Sequence, residues 1–263
     1  MIVEQIWTAN AWRNFNYLVA CEETGDALAI DPLDHQKCLG LARDRGWTVR
    51  QVLNTHEHGD HTGGNAAMVA ATGAQVVAHA NAASRIPEMT RGLEAGDVIA
   101  VGRTIELECL DTPGHTMAHI CLLSRGDQPA LFSGDTLFNA GAGNCHNGGH
   151  PRQLYQTFVG QLARLPDATR IYPGHDYLAR NLAFTLDREP TNTRAGDLSR
   201  EAADMDPARP IVTTLGLEKE INVFFRLQNA EVIRLLRAKL PDLPASPTPE
   251  DVFLALRELR NKW

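Results

Sequence analysis

Apolar residues gather in short alternating or continuous runs through the first two thirds of the chain, then recur at helical spacing in the last third. Segments 2–7, 15–21, 26–30, 49–54 and 75–79 read as strands, with helical patterns over 35–45 and 64–72 between them. Further strands are predicted at 104–110, 119–123, 130–134 and 169–172, around a helix at about 151–164. Such a mixture predicts sheets covered by helices, an α+β arrangement. Past His175 the pattern changes, and 176–188, 194–204, 229–239 and 249–261 all read as helices. Asn229 and Thr248 stand as N-caps, and Pro249 takes the first helical position, where its missing N–H costs nothing. The proline-rich stretch 241–250, PDLPASPTPE, reads as a connector between the last two helices. A helical second domain is therefore expected to begin near residue 177.

Composition narrows the function classes. The chain has 263 residues, 43% of them hydrophobic, which is ample for a packed core. Its net charge of −7 and the lack of a long basic run argue against nucleic acid as a partner. Five cysteines, an odd number without a CxxC pair, read as reduced thiols. The first residues, MIVEQIWTANAWRNF, carry Glu4 and Arg13 within their apolar pattern, unlike a signal segment, and no window approaches a membrane span. A cytoplasmic location and no membrane association are the expectation.

Four strand ends carry the chemistry. They are THEHGDH with His56, His58, Asp60 and His61; TPGHT with His115; SGDTLF with Asp135; and YPGHDY with His175. Residues two apart in an extended segment point the same way, so His56 and His58 can grip one ion while Asp60 and His61, past the Gly59 bend, reach a second. His115 would complete the first set, His175 the second, and the two oxygens of Asp135 suit a bridge between them. Imidazole and carboxylate ligands without thiolate suit two divalent ions, zinc first, with iron or manganese also accommodated. His119, four residues after His115, reads as a supporting or core histidine, because ICLLS beyond it is strand-like.

In order and segment by segment, THEHGDH, TPGHT, SGDTLF and YPGHDY resemble the metallo-β-lactamase superfamily. Within it the chain is most similar to glyoxalase II, the hydroxyacylglutathione hydrolases. NLAFTLDREPTN, INVFFR at 221–226 and the terminal LRELRNKW resemble the helical tail of that family, so the likeness covers essentially the whole chain. The resemblance implies an αββα sandwich over residues 1–176 and a helical substrate-binding domain over 177–263. It also implies cleavage of S-(2-hydroxyacyl)glutathione to glutathione and a 2-hydroxy acid.

Two divalent ions about 3.5–4 Å apart lower the pKa of a shared water, and the resulting hydroxide attacks the acyl carbon. Their charge stabilises the oxyanion that forms. No GxSxG elbow is present, so no covalent acyl-enzyme is expected. Asp60 is a candidate both as a ligand and as the group orienting the nucleophile. By the resemblance, Tyr177 contacts glutathione and Arg226 holds a substrate carboxylate, for which a planar fork is suited. The loop GAGNCHNGGH departs from the family, placing Asn144 and His146 where lysine and an aromatic residue are usual. The alternative readings are a glutathione persulfide dioxygenase with one iron on a set such as His56, His115 and Asp135, and a lactonase-like hydrolase.

Overall fold

The computed structural model describes residues 1–263 and divides into two compact units. The first contains Met1–Thr112, Ala118–Gly134 and Tyr172–Asp176; the second contains Pro113–Met117, Asp135–Ile171 and Tyr177–Trp263. The units therefore interleave along the chain. No helix is long and apolar enough to cross a membrane.

In the first unit, β1 (Ile2–Trp7), β2 (Phe15–Ala20), β3 (Asp26–Ile30), β4 (Thr48–Leu53), β5 (Gln75–His79) and β6 (Met89–Leu93) form one six-stranded sheet in that order. The first three pair antiparallel and the rest parallel. Of the three parallel pairs, β3–β4 is joined by α1 (His35–Arg45), β4–β5 by α2 (Gly59–Thr62) followed by α3 (Asn65–Thr72), and β5–β6 by the 3₁₀ turn Ala80–Ala82 and the loop after it. A second, antiparallel sheet runs through β7 (Val98–Val101), β8 (Ile105–Asp111), β9 (Ile120–Ser124) and β10 (Ala130–Gly134).

Strand periodicity explains the core. Phe15, Tyr17 and Val19 of β2 join Leu28, Ile30, Leu53 and Val77 against Leu107, Cys109, Ile120, Leu122 and Phe132 of the second sheet. The alternate residues Leu18 and Ala20 face the other way, with Val52, Val76, Cys38, Ala42 and Met68 beneath α1 and α3. A strand covered on both sides loses its polar alternation, which is why FNYLVA is a continuous buried run. Gly64 opens α3 where a Cβ would lie 1.9 Å from the Pro32 carbonyl oxygen, so only glycine allows this approach.

The second unit holds β11 (Leu137–Phe138), β12 (Gly141–Ala142), α4 (Pro151–Gly160) and the start of β13 (Arg170–Pro173). The end of β13, Tyr172–Pro173, belongs to the first unit, and β13 borders β10 at the sheet edge. Beyond it come α5 (Leu178–Arg188), α6 (Thr193–Ala203), α7 (Leu215–Ile221), α8 (Ala230–Lys239) and α9 (Pro249–Asn261). Their core includes Leu178, Leu182, Leu198 and Ile221, and a cluster of Phe158, Phe184, Phe224 and Phe253. Asn229 caps α8 by accepting from the N–H groups of Glu231 and Val232, and Thr248 forms a reciprocal capping box with Asp251 at the start of α9.

Several elements differ from the expectation. The helix expected to run to 164 ends at Gly160, and Leu162–Arg164 continues only as a 3₁₀ turn. β6, β7, the β11–β12 hairpin and α7 were not legible in the apolar pattern. Asp60 and His61 sit on the single helical turn α2 rather than past a simple bend.

Candidate metal centre

Five of the seven expected ligands lie in the first unit. β4 ends at Leu53, and the irregular stretch after it carries buried His56 and half-buried His58. The Nε2 of His56 is 3.0 Å from Nδ1 of His58, and its Nδ1 is 3.0 Å from the Thr55 hydroxyl. His119, wholly buried, stacks on His56 with ring centroids 5.2 Å apart, and its Nδ1 meets the Thr112 hydroxyl at 2.9 Å. It therefore supports His56, in line with the sequence reading.

A second convergence joins Asp60, His61 and His175. Nδ1 of His61 donates to Asp31 at 2.9 Å, and Nδ1 of His175 donates to the Trp12 carbonyl at 2.7 Å. Each ring proton is thereby fixed on the outer nitrogen, leaving both Nε2 atoms as acceptors. Those two acceptors stand 3.2 Å apart, and a carboxylate oxygen of Asp60 lies 3.7 Å from the first and 3.5 Å from the second. Three electron-rich atoms aimed at one point, two of them on buried rings, are stabilised by a cation. The donor set thus fits a divalent ion on geometry alone; all the donor atoms of Asp60, His61 and His175 lie within 4.8 Å of one another.

His115 and Asp135 belong to the second unit. Nδ1 of His115 donates to the Asn144 carbonyl at 2.7 Å, and its Nε2 lies 3.5 Å from an Asp135 carboxylate oxygen. Here too the outer nitrogen is held by a main-chain acceptor and the inner one meets a carboxylate. A Cβ at Gly143 would stand 1.9 Å from the Asp135 carbonyl oxygen, so glycine is required for this loop to close behind both residues.

The expected substrate contacts separate. His146 lines a cleft of about 460 Å³ with Cys145, His150, Arg152, Leu254 and Arg257. Asn144 braces His115 through its carbonyl and caps the turn to His146 N–H at 3.1 Å. Tyr177 precedes α5 and sets its ring edge-on to Phe138 at 5.2 Å. Arg226 does not offer an open fork: its Nε and Nη2 both donate to Glu189 at 2.5 Å, and Asn229 adds a third bond to that buried carboxylate. The fork that suits a substrate carboxylate is occupied by an internal one.

Four contributors escaped the sequence reading. Asp31, at the end of β3, accepts from Thr55 N–H and hydroxyl as well as from His61. Asn14 donates to the main-chain and carboxylate oxygens of Asp60, both at 3.1 Å. Trp12 acts through its carbonyl. Arg257, almost wholly buried, donates to the carbonyls of Ala142 and Gly143 at 2.7 and 2.9 Å. Burial pulls its pKa down to about 10, which leaves it cationic at neutral pH.

Comparison with known proteins places this site in a class. Residues 16–175 match the model of the metallo-β-lactamase superfamily, and residues 176–263 match that of the hydroxyacylglutathione hydrolase C-terminus. The fold is thus the αββα sandwich of that superfamily with a C-terminal helical domain, and divalent metal binding comes with it. The hydroxyacylglutathione hydrolase of Polaromonas sp. is 65% identical over 263 residues, and that of Nitrosococcus oceani 60%, each covering 100% of both chains. The crystal structure of ETHE1 from Myxococcus xanthus matches with a TM-score of 0.68 at 28% identity, covering 99% of this chain and 98% of that one. Within the superfamily, the chain belongs to the hydroxyacylglutathione hydrolase family.

Proposed function

We infer that this protein hydrolyses S-(2-hydroxyacyl)glutathione to glutathione and a 2-hydroxy acid. The observation that carries the reading is the convergence of two proton-locked imidazoles, His61 and His175, with the Asp60 carboxylate, in a chain of this family. We assign His56, His58 and His115 to one ion, Asp60, His61 and His175 to a second, and Asp135 to both, with zinc as the expected metal. Bound divalent ions supply Lewis acidity, which activates water and polarises the acyl carbonyl.

The chain's own groups do the rest. Asp31 and the Trp12 carbonyl hold protons on the outer nitrogens of His61 and His175, so that the inner nitrogens stay available. Asn14 fixes the Asp60 carboxylate, whose task beyond ligation is to orient the attacking water. In the second unit, His146 lines the cleft assigned to the anionic glutathione half, and Arg257, bonded to the Ala142 and Gly143 carbonyls beneath it, adds positive charge there, with Tyr177 on the same unit. We assign residues 1–176 chiefly to metal binding and catalysis and 177–263 chiefly to substrate binding, with His146 as a substrate contact that the first segment contributes. Five cysteines without a disulfide suit a cytoplasmic location.

Metal-replete protein mixed with S-lactoylglutathione should release free thiol. Absence of release, or oxygen uptake with glutathione persulfide instead, would overturn the reading in favour of the one-iron alternative.

A further inference from the structure

Asp135 and Asn144 stand at the two ends of one short hairpin whose arms make few bonds of their own. β11 and β12 pair only with each other, Leu137 with Ala142 and Phe138 with Gly141. At the base, Gly143 N–H donates to the Thr136 carbonyl at 3.2 Å, and the Asn144 carbonyl accepts from His115. A ladder this short does not hold one conformation by itself. The main-chain groups at its tip need other partners.

Side chains of the helical segments supply them. Asn181 of α5 donates to the Asn139 carbonyl at 2.9 Å, Glu218 of α7 accepts from Ala140 N–H at 2.8 Å, and Asn222, at the end of α7, donates to the Gly141 carbonyl at 3.1 Å. Asn222 also donates to Glu218 at 3.0 Å, while the Thr213 hydroxyl accepts from the Asn139 amide at 2.8 Å and donates to the other Glu218 oxygen at 2.6 Å. Arg257 takes the next two carbonyls, Ala142 and Gly143. Asn181, Thr213, Glu218 and Asn222 are all buried. Within this network Ala140 keeps a φ of 55°, which a residue with a side chain retains only where its surroundings impose it. The tip is held, not relaxed.

We propose that Glu218 and Asn222 are positioning residues for the metal centre. By clamping the hairpin tip they fix Asp135 at one end and, at the other, the Asn144 carbonyl that orients His115. The proposal rests on the assignment of His115 and Asp135 as ligands made above. A hairpin loose at its tip would let carboxylate and imidazole drift from the geometry an ion requires.

The test measures metal affinity by chelator competition, the absorption spectrum of cobalt-substituted protein and the urea midpoint. It compares wild type with Glu218→Ala, Glu218→Gln, Asn222→Ala and Arg226→Ala. Glu218→Ala and Asn222→Ala should bind metal about tenfold more weakly, with a changed cobalt spectrum. Glu218→Gln keeps an oxygen for Ala140 N–H and should bind within about twofold of wild type. Arg226→Ala loosens the same helical segments away from the hairpin, so it should lower the urea midpoint and leave affinity and spectrum alone. In wild type, zinc should slow amide exchange at Ala140, because a clamp that favours metal binding is reciprocally favoured by it. Wild-type affinity in both Glu218→Ala and Asn222→Ala, an equal loss in Arg226→Ala, or Ala140 exchange indifferent to zinc overturns the proposal. Wild type that binds no metal would instead overturn the ligand assignment, so the two failures are distinguishable.

Discussion

Asp31 accepts the Nδ1 proton of His61 across 2.9 Å, and this bond decides which nitrogen His61 turns towards an ion. The carboxylate is buried and also accepts from Thr55 N–H at 2.8 Å and from its hydroxyl at 2.7 Å, so it cannot swing away without breaking three bonds. Outer partners of this kind are worth tenfold to hundredfold in metal affinity. Asp31→Ala should weaken metal binding by roughly that factor, and Asp31→Asn by less. Chelator competition measures it, and unchanged affinity would remove Asp31 from the centre.

Glu218 sets a pH dependence of stability. It is wholly buried on α7, accepting from Thr213 hydroxyl at 2.6 Å, Ala140 N–H at 2.8 Å and Asn222 amide at 3.0 Å. Burial outweighs these bonds and pushes its pKa up to about 7. Between the ordinary carboxyl pKa near 4.5 and 7, the native state holds a proton that the unfolded chain has released, so stability falls as pH rises through this window. The loss is on the order of 3 kcal/mol by pH 8. Urea unfolding at pH 5 and pH 8 should show this fall in wild type and a smaller one in Glu218→Gln. Equal slopes would contradict the assignment.

Arg226 and Arg257 should part company on mutation. Removing Arg226 leaves Glu189 buried without its main cation, and such a loss typically costs about 3 kcal/mol. Arg226→Ala should therefore lower the urea midpoint first. Arg257→Ala should raise KM for a glutathione thioester about tenfold, with kcat less affected. Kinetics and unfolding on both variants check the pair; the reverse pattern would return the substrate role to Arg226.

Much of this was readable in the chain, for physical reasons. Helices α8 and α9 announced themselves through local caps at Asn229 and Thr248, and β2 through a run of apolar residues buried on both faces. The metal segments were legible because histidine and aspartate crowd beside glycine at strand ends. β6 was not, since three of its five residues are exposed and MTRGL has no apolar alternation. Nor was Asp31, thirty residues before His61, because its role exists only once β3 and β4 lie side by side. Arg226 looked like a substrate clamp because a guanidinium suits any carboxylate, and sequence does not say that Glu189 lies within reach.

The central claim is that these donors hold divalent ions in order to cleave a thioester. Zinc titration of chelator-treated protein, with loss of S-lactoylglutathione followed throughout, tests it most directly. Activity should rise from near zero and level off at two equivalents of metal per chain. Full activity in metal-free protein, or none after both equivalents are bound, would contradict it.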